Sequence, residues 1–390
     1  MPSSPRTVRT RFFRYEDPRR PLKLRVGERL PEFTLAYETY GRLNQAKSNA
    51  VLVFHAMTGS QHAAGYNPHV PGTGGLWTEE MHDGWWEGFI GPGRALDTRH
   101  LFIICANYLG GCYGSTGPTS LNPKTGQPYG RDFPPIRIAD IADSQIRLLD
   151  HLGIRKLRAV IGGSIGGLLS LSLATRYPAR VERVIPIASG LETTVVQRIL
   201  NFEQINAIEA DPKFLEGRYP SGQGPSHGLA LARRIAHKTF VSPTMLSERA
   251  KQEIMTGKPP FGWYEMNHPV ESYMLHQGQK FIRRFDANSY LRILDAWQWF
   301  DLVAEAGAPS LDHLLTRCRH QHFLVFTIDS DVSFHPSEQA KLVKALKQAD
   351  VPVTWITVHS DKGHDSFLLE PRLFAPHVRQ ILLGEKLGTG

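Results

Sequence analysis

The chain has 390 residues, 41% apolar and 21% charged; that is enough for a large core in one domain with an insertion or in two domains, with the composition of a soluble globular protein. No apolar run is long enough to span a bilayer, the opening Met1-Pro-Ser-Ser-Pro-Arg lacks a signal-peptide stretch, and three cysteines without a C-x-x-C pair argue against a disulfide framework or zinc site, so a cytoplasmic protein without a metal is expected. The net charge of +8 is spread along the chain with no long Lys/Arg run, which reads as a solvated basic surface rather than a nucleic-acid interface, one that would also attract an anionic cosubstrate.

The stretch to about Asn49 reads as a β-rich lead-in, with a strand over Thr34–Tyr40. Val51–Phe54 is a short buried strand, and His55-Ala-Met-Thr-Gly59 turns directly after it. A long loop holding Trp77, Trp85 and Trp86 follows, and its tryptophans argue for a packed, functional loop. Leu101–Ile104 is the next strand and runs into the glycine-dense Asn107–Pro118, where Cys112 reads as buried filler rather than a reactive thiol. Apolar positions at 138, 141, 148, 149 and 152 predict a helix closed by Gly153. Leu157–Ile161 is a strand, Gly167–Ala174 a buried helix and Val184–Ile187 a further strand. Residues 191–310 lose the strand alternation and turn helical; the alternation resumes with His322–Ile328, a helix over Pro336–Gln348 and a strand over Val353–Val358. The expectation is an α/β protein with a mostly parallel sheet flanked by helices. Its core is divided into residues 1–190 and 311–390 by a helical lid at 191–310.

Between the strand at 157–161 and the helix at 167–174 stands Gly162-Gly-Ser-Ile-Gly166, a G-x-S-x-G sequence. Strand, sharp glycine turn and helix form the context in which this sequence makes a nucleophile elbow. A nucleophilic serine needs a base, and the base an orienting acid. In α/β-hydrolase folds these follow the serine as acid, then histidine. Asp331, just beyond the strand ending at Ile328, is the candidate acid, with Asp329 the runner-up. His364, in the loop after Val353–Val358, is the candidate base. Among 17 histidines most are structural or exposed, and chain order is what lifts His364 above His55, His268, His276 and His335. The oxyanion hole is expected from the backbone N–H groups of Ile165 and Met57, each worth about 3 kcal/mol to a transition state. This constellation reads as a serine acyl-enzyme device and leaves hydrolysis and transfer open.

Further segments make the match specific. Gly84-Trp-Trp-Glu-Gly-Phe-Ile-Gly-Pro-Gly93 with Ala95-Leu-Asp-Thr98, the run from Asn107 to Pro118 with Asn122-Pro123 and Tyr129-Gly130, His55–Gly59 with His62-Ala-Ala-Gly65, Ser330-Asp331 and Gly363–Glu370 together resemble the homoserine O-acyltransferase family, over about residues 30 to 375. The resemblance implies an α/β-hydrolase fold and transfer of acetyl from acetyl-CoA to the L-homoserine hydroxyl in methionine synthesis, with no further cofactor. It also implies a homodimer built through the helical region, Ser164, Asp331 and His364 as triad, and Asp331 favoured over Asp329. Asp365 and Arg233 would hold the amino acid, a carboxylate for its ammonium and a guanidinium for its carboxylate; Arg234 is the alternative to Arg233. Phe240 stands where the family commonly has tyrosine, Ile165 where methionine is common, and Ser333-Phe-His-Pro336 departs from the usual residues. Succinyl donors, serine as acceptor, or an esterase of the same fold are the other readings.

Overall fold

The computed structural model describes residues 7–252 and 261–385; the N-terminal hexapeptide read above lies outside them. Eight strands form one sheet: β1 (Arg11–Glu16), β2 (Glu32–Tyr40), β3 (Ala50–Phe54), β4 (Phe102–Ala106), β5 (Ala159–Gly163), β6 (Arg183–Ile187), β7 (His322–Ile328) and β8 (Val353–Val358). Their spatial order is β1-β2-β4-β3-β5-β6-β7-β8. The first two pairings, β1 with β2 and β2 with β4, are antiparallel, and every later one is parallel. The helices of seven residues or more among the described residues are α1 (Ile138–His151), α2 (Ile165–Arg176), α3 (Val195–Glu209), α4 (Ser226–Phe240), α5 (Pro243–Arg249), α6 (Pro269–Phe281), α7 (Ala287–Gln298), α8 (Pro336–Gln348) and α9 (Pro371–Leu383).

The central strands read as unbroken apolar runs because both faces of the sheet are covered. Alternation along β3 shows it: Leu52 and Phe54 point into one core with α1, α2 and α8, whereas Val51 and Val53 point into the other with α9 and Trp86. The edge strand β8 is less covered and leaves Trp355 44% exposed. Two elements go beyond the expectations. β1 is amphipathic with only Phe13 buried, so its six residues gave no clear strand run. α9 follows the last expected element and buries Phe374, Val378 and Leu382 on one face, the i, i+4, i+8 pattern of a helix packed on one side.

The chain leaves β3 to one side for β4 and leaves β5 to the other side for β6, so the carboxyl ends of β3 and β5 flank the point where the winding reverses. Open parallel sheets bind ligands there. The loops after β3, β5, β7 and β8 all carry residues singled out from the sequence. Between β6 and β7 the described chain is helical, α3 to α7, and strand-free.

Candidate active site

Ser164 sits at φ 61° and ψ −130°, a conformation that non-glycine residues rarely adopt. The turn is held from both sides. Ser164 N–H donates to the Ile187 carbonyl of β6, and the Ser164 carbonyl accepts from Gly167 N–H as α2 begins. Glycine is demanded by close approach: a Cβ on Gly162 would lie 2.4 Å from the Gly166 carbonyl oxygen, and one on Gly166 would lie 2.5 Å from that of Phe54. Strand, turn and helix therefore meet at backbone distance, and the serine is left at the carboxyl edge of the sheet with 7% exposure.

His364 follows β8 in a single 3-10 turn and is buried. Its Nδ1 lies 2.6 Å from Asp331 Oδ2. The other carboxylate oxygen of Asp331 accepts the N–H groups of Ser333 and Phe334 at 2.8 and 2.9 Å, so the acid is fixed by its own loop. Asp329 is engaged elsewhere, taking His359 Nδ1 at 2.7 Å and the N–H of Ser360. The ring of His364 is stacked on Phe334, with centroids 5.4 Å apart, and meets Phe367 edge-on. Its Nε2 is buried and has no hydrogen-bond partner among the described residues. Burial works against charge on this imidazole, but the Asp331 carboxylate, and Asp365 behind it, outweigh burial and lift its pKa above the ordinary value.

Ser164 and His364 line one cavity of about 300 Å³, shared with Met57, Arg233, Phe240 and Asp365. The N–H of Ile165 belongs to the first residue of α2 and has no acceptor within the helix, so it is available where the helix dipole is positive. Met57 lies in the loop after β3 that forms one wall. That loop is braced from beneath. The His55 ring is stacked on Tyr108 with centroids 3.6 Å apart, and the Tyr108 hydroxyl donates to the His55 carbonyl. Burial pushes the His55 imidazole down to about 4, so it is a neutral strut. The Asn107–Pro118 loop therefore acts as scaffold, and burial pushes the Cys112 thiol within it well up from its ordinary value. The tryptophan loop does similar work on the other wall: Trp86 is stacked on Phe89 and donates from its indole to the Phe367 carbonyl, three residues beyond His364.

Arg233 projects from α4 into the cavity, its guanidinium 5.5 Å from the Phe240 ring centre and 5.0 Å from that of Phe281. No ion pair to it is present among the described residues; burial and the nearby Arg284 weigh against its charge and lower its pKa, with Tyr290, Asp365 and Tyr273 acting the other way. Phe240 thus offers a ring face to Arg233 where a tyrosine would add a hydroxyl. Asp365 lies on the same cavity, and burial raises its pKa despite the opposing effects of His364 and Arg233. Arg234, one residue on, turns away to a separate surface groove. Residues 191–310 hence supply Arg233, Phe240, Arg284 and Trp297 to the cavity wall. Arg284, with Glu80 opposite it, carried no signal in the sequence: each is an ordinary charged residue until the fold places it on this wall. Among the described residues no group of three or more His, Cys, Asp or Glu side chains is placed to hold a metal ion.

The fold is that of the α/β-hydrolase enzymes, and Ser164 stands at the elbow position of that fold. The profile of the alpha/beta hydrolase fold family matches residues 49–371. The chain is 43% identical over 361 residues to a homoserine O-acetyltransferase of Mesorhizobium japonicum, covering 91% of this chain and 89% of that one. It is 39% identical over 350 residues to a homoserine O-succinyltransferase of Acidithiobacillus ferrooxidans, covering 90% and 88%. The crystal structure of a homoserine O-acetyltransferase from Bacillus anthracis superposes with a TM-score of 0.85 at 27% identity, over 99% of this chain and 100% of that one. The structure of esterase E22 does so with 0.84 at 27% identity, over 96% and 100%. The chain belongs to the homoserine O-acyltransferases of the α/β-hydrolase fold family.

Proposed function

We propose that the protein is a homoserine O-acetyltransferase working through an acyl-enzyme on Ser164, with a step of methionine synthesis as its task. The observation that carries the reading is the cavity: a nucleophile elbow, an Asp331-oriented His364, and a cation and an anion, Arg233 and Asp365, on one wall. A zwitterionic amino acid matches that pair, with its carboxylate on Arg233 and its ammonium on Asp365. Asp365 directly follows His364, so the substrate hydroxyl is brought to the base.

His364 Nε2 takes the proton of Ser164 as Oγ attacks the thioester carbonyl of acetyl-CoA. The oxyanion rests on the N–H groups of Met57 and Ile165. The C–S bond breaks, and CoA leaves with the proton from His364. Homoserine then binds, its hydroxyl proton passes to His364, and its oxygen attacks the acetyl carbonyl. The Ser164 ester bond breaks, Oγ recovers the proton, and O-acetylhomoserine departs. The chemistry needs nothing beyond the CoA thioester. In this reading the segment 191–310 is a lid that keeps water from the acyl-enzyme.

A homodimer through α3 belongs to the same proposal. Val195, Val196, Ile199 and Phe202 are between 53% and 74% exposed along that helix, an apolar stripe that a second copy would cover. A Phe202→Glu chain running as a monomer in light scattering supports this, and a monomeric wild type refutes it. A cytoplasmic location is proposed with the activity; no described helix is long and apolar enough to cross a membrane.

The test is a matrix of acetyl-CoA and succinyl-CoA against homoserine, serine and water, read as CoA release. Wild type should show homoserine-dependent release and parallel double-reciprocal plots, and Ser164→Ala should form no acyl-enzyme by intact mass. Free acetate released at a rate indifferent to homoserine would instead favour an esterase, the activity that the E22 likeness keeps in view.

A further inference from the structure

Two guanidinium groups face the cavity, and the fold treats them differently. Arg233 has no ion-pair partner among the described residues. Arg284, just past α6, is engaged: its Nε lies 3.2 Å from Glu80 Oε1, while the other Glu80 oxygen is 3.0 Å from Lys280 Nζ. Nη1 of Arg284 also donates to the Thr58 carbonyl at 3.1 Å, and its own carbonyl accepts the Tyr113 hydroxyl at 2.5 Å. Thr58 follows Met57, so Arg284 is tied to the loop that would hold the acyl oxygen. Its side chain is 18% exposed and that of Glu80 32%, so bulk water screens the pair only in part. Both residues line the cavity that holds Ser164.

An acyl group on Ser164 would share its cavity with Arg284 and Glu80. A neutral acetyl asks nothing of Arg284. A dicarboxylic acyl group needs a cation for its far carboxylate, and here Arg284 is already engaged by Glu80, with Asp83 and Asp365 also on the cavity lining. Rejection by an unpaired or like charge discriminates more sharply than a small change in fit. We propose that Glu80 sets the acyl-donor specificity of the site, occupying Arg284 and excluding an acyl group that bears a second carboxylate. The inference rests on the acyltransferase reading, and it concerns a choice made within one family, whose members include proteins named for acetyl and for succinyl transfer.

The experiment compares kcat/KM for acetyl-CoA and succinyl-CoA, with homoserine as acceptor, in wild type, Glu80→Gln, Glu80→Asp and the double variant Glu80→Gln/Arg284→Gln. Wild type and Glu80→Asp are expected to prefer acetyl-CoA. Glu80→Gln should raise the succinyl-to-acetyl ratio at least tenfold, and the double variant should lose that gain. An unchanged ratio in a Glu80→Gln protein that melts like wild type overturns the proposal. So does a wild type that prefers succinyl-CoA, a measurement that needs no variant, or a double variant that keeps the gain. Failure of the underlying reading is separate: wild type would then release CoA from neither donor in response to homoserine.

Discussion

Replacing Asp331 with Asn tests the chemistry assigned to His364 with almost no change of shape. Oδ1 of Asp331 accepts two backbone N–H groups, from Ser333 and Phe334, and an amide oxygen in that position keeps both. The NH₂ then replaces Oδ2, 2.6 Å from His364 Nδ1, and can only donate. The imidazole must answer with a bare Nδ1, which places its proton on Nε2. Nε2 is the buried nitrogen that has no partner among the described residues and that would have to accept the Ser164 proton. The variant holds the wrong tautomer and also loses the carboxylate that stabilises the imidazolium. Comparable losses in serine enzymes are about 10⁴-fold in kcat, or about 5 kcal/mol of transition-state stabilisation. The assay is CoA release under saturating acetyl-CoA and homoserine, with single-turnover acyl-enzyme formation by mass spectrometry and a thermal melt as the fold control. A loss of less than about tenfold, in a protein that melts normally, would refute the reasoning.

Arg233→Ala should raise KM for homoserine by about 100-fold or more, the scale of a lost charge-assisted hydrogen-bond pair, while CoA release in the absence of acceptor changes little; equal losses in both half-reactions would remove Arg233 from the acceptor side. The acid limb of kcat/KM should lie above the ordinary imidazole value of 6.5, because His364 must be neutral to act and its pKa is raised by Asp331 and Asp365 against burial. Activity then climbs as pH rises through that limb, and a limb well below 6.5 in a pH-rate profile contradicts the assignment. Gly166→Ala should destabilise by about 1–3 kcal/mol in denaturant titration and lower kcat as well, since its Cβ would push on the Phe54 and His55 carbonyls that lead to Met57; a neutral effect on both would mean that the contact relaxes freely.

Much of this was readable along the chain because the signals are local. The runs of β3 and β5 carry no polar side chain and β7 is apolar from Phe323 to Phe326, as expected of strands covered on both faces. Gly162 and Gly166 mark a close approach that leaves no room for a side chain, and Ser164 lies between them. The order of serine, acid and histidine follows from parallel strands wound in sequence, each delivering one loop to the same edge. β1 falls in the stretch read only as a β-rich lead-in and has no bounds there, because only Phe13 of its six residues is buried, and an edge strand paired on one side needs no more.

What remained open needed contacts between distant residues. Asp329 and Asp331 are two positions apart and chemically alike; the turn at 331–334 and the capture of Asp329 by His359 decide which one meets His364. Arg233 and Arg234 are neighbours on α4, about 100° apart around the helix, and only the packing of Phe240 and Phe281 shows which one enters the cavity. The pairing of Glu80 with Arg284 joins a loop before β4 to the end of α6. A motif can report a strained turn, since the strain lies within five residues. Which charge faces which depends on where loops and helices remote in sequence come to rest, and the closed fold alone sets that.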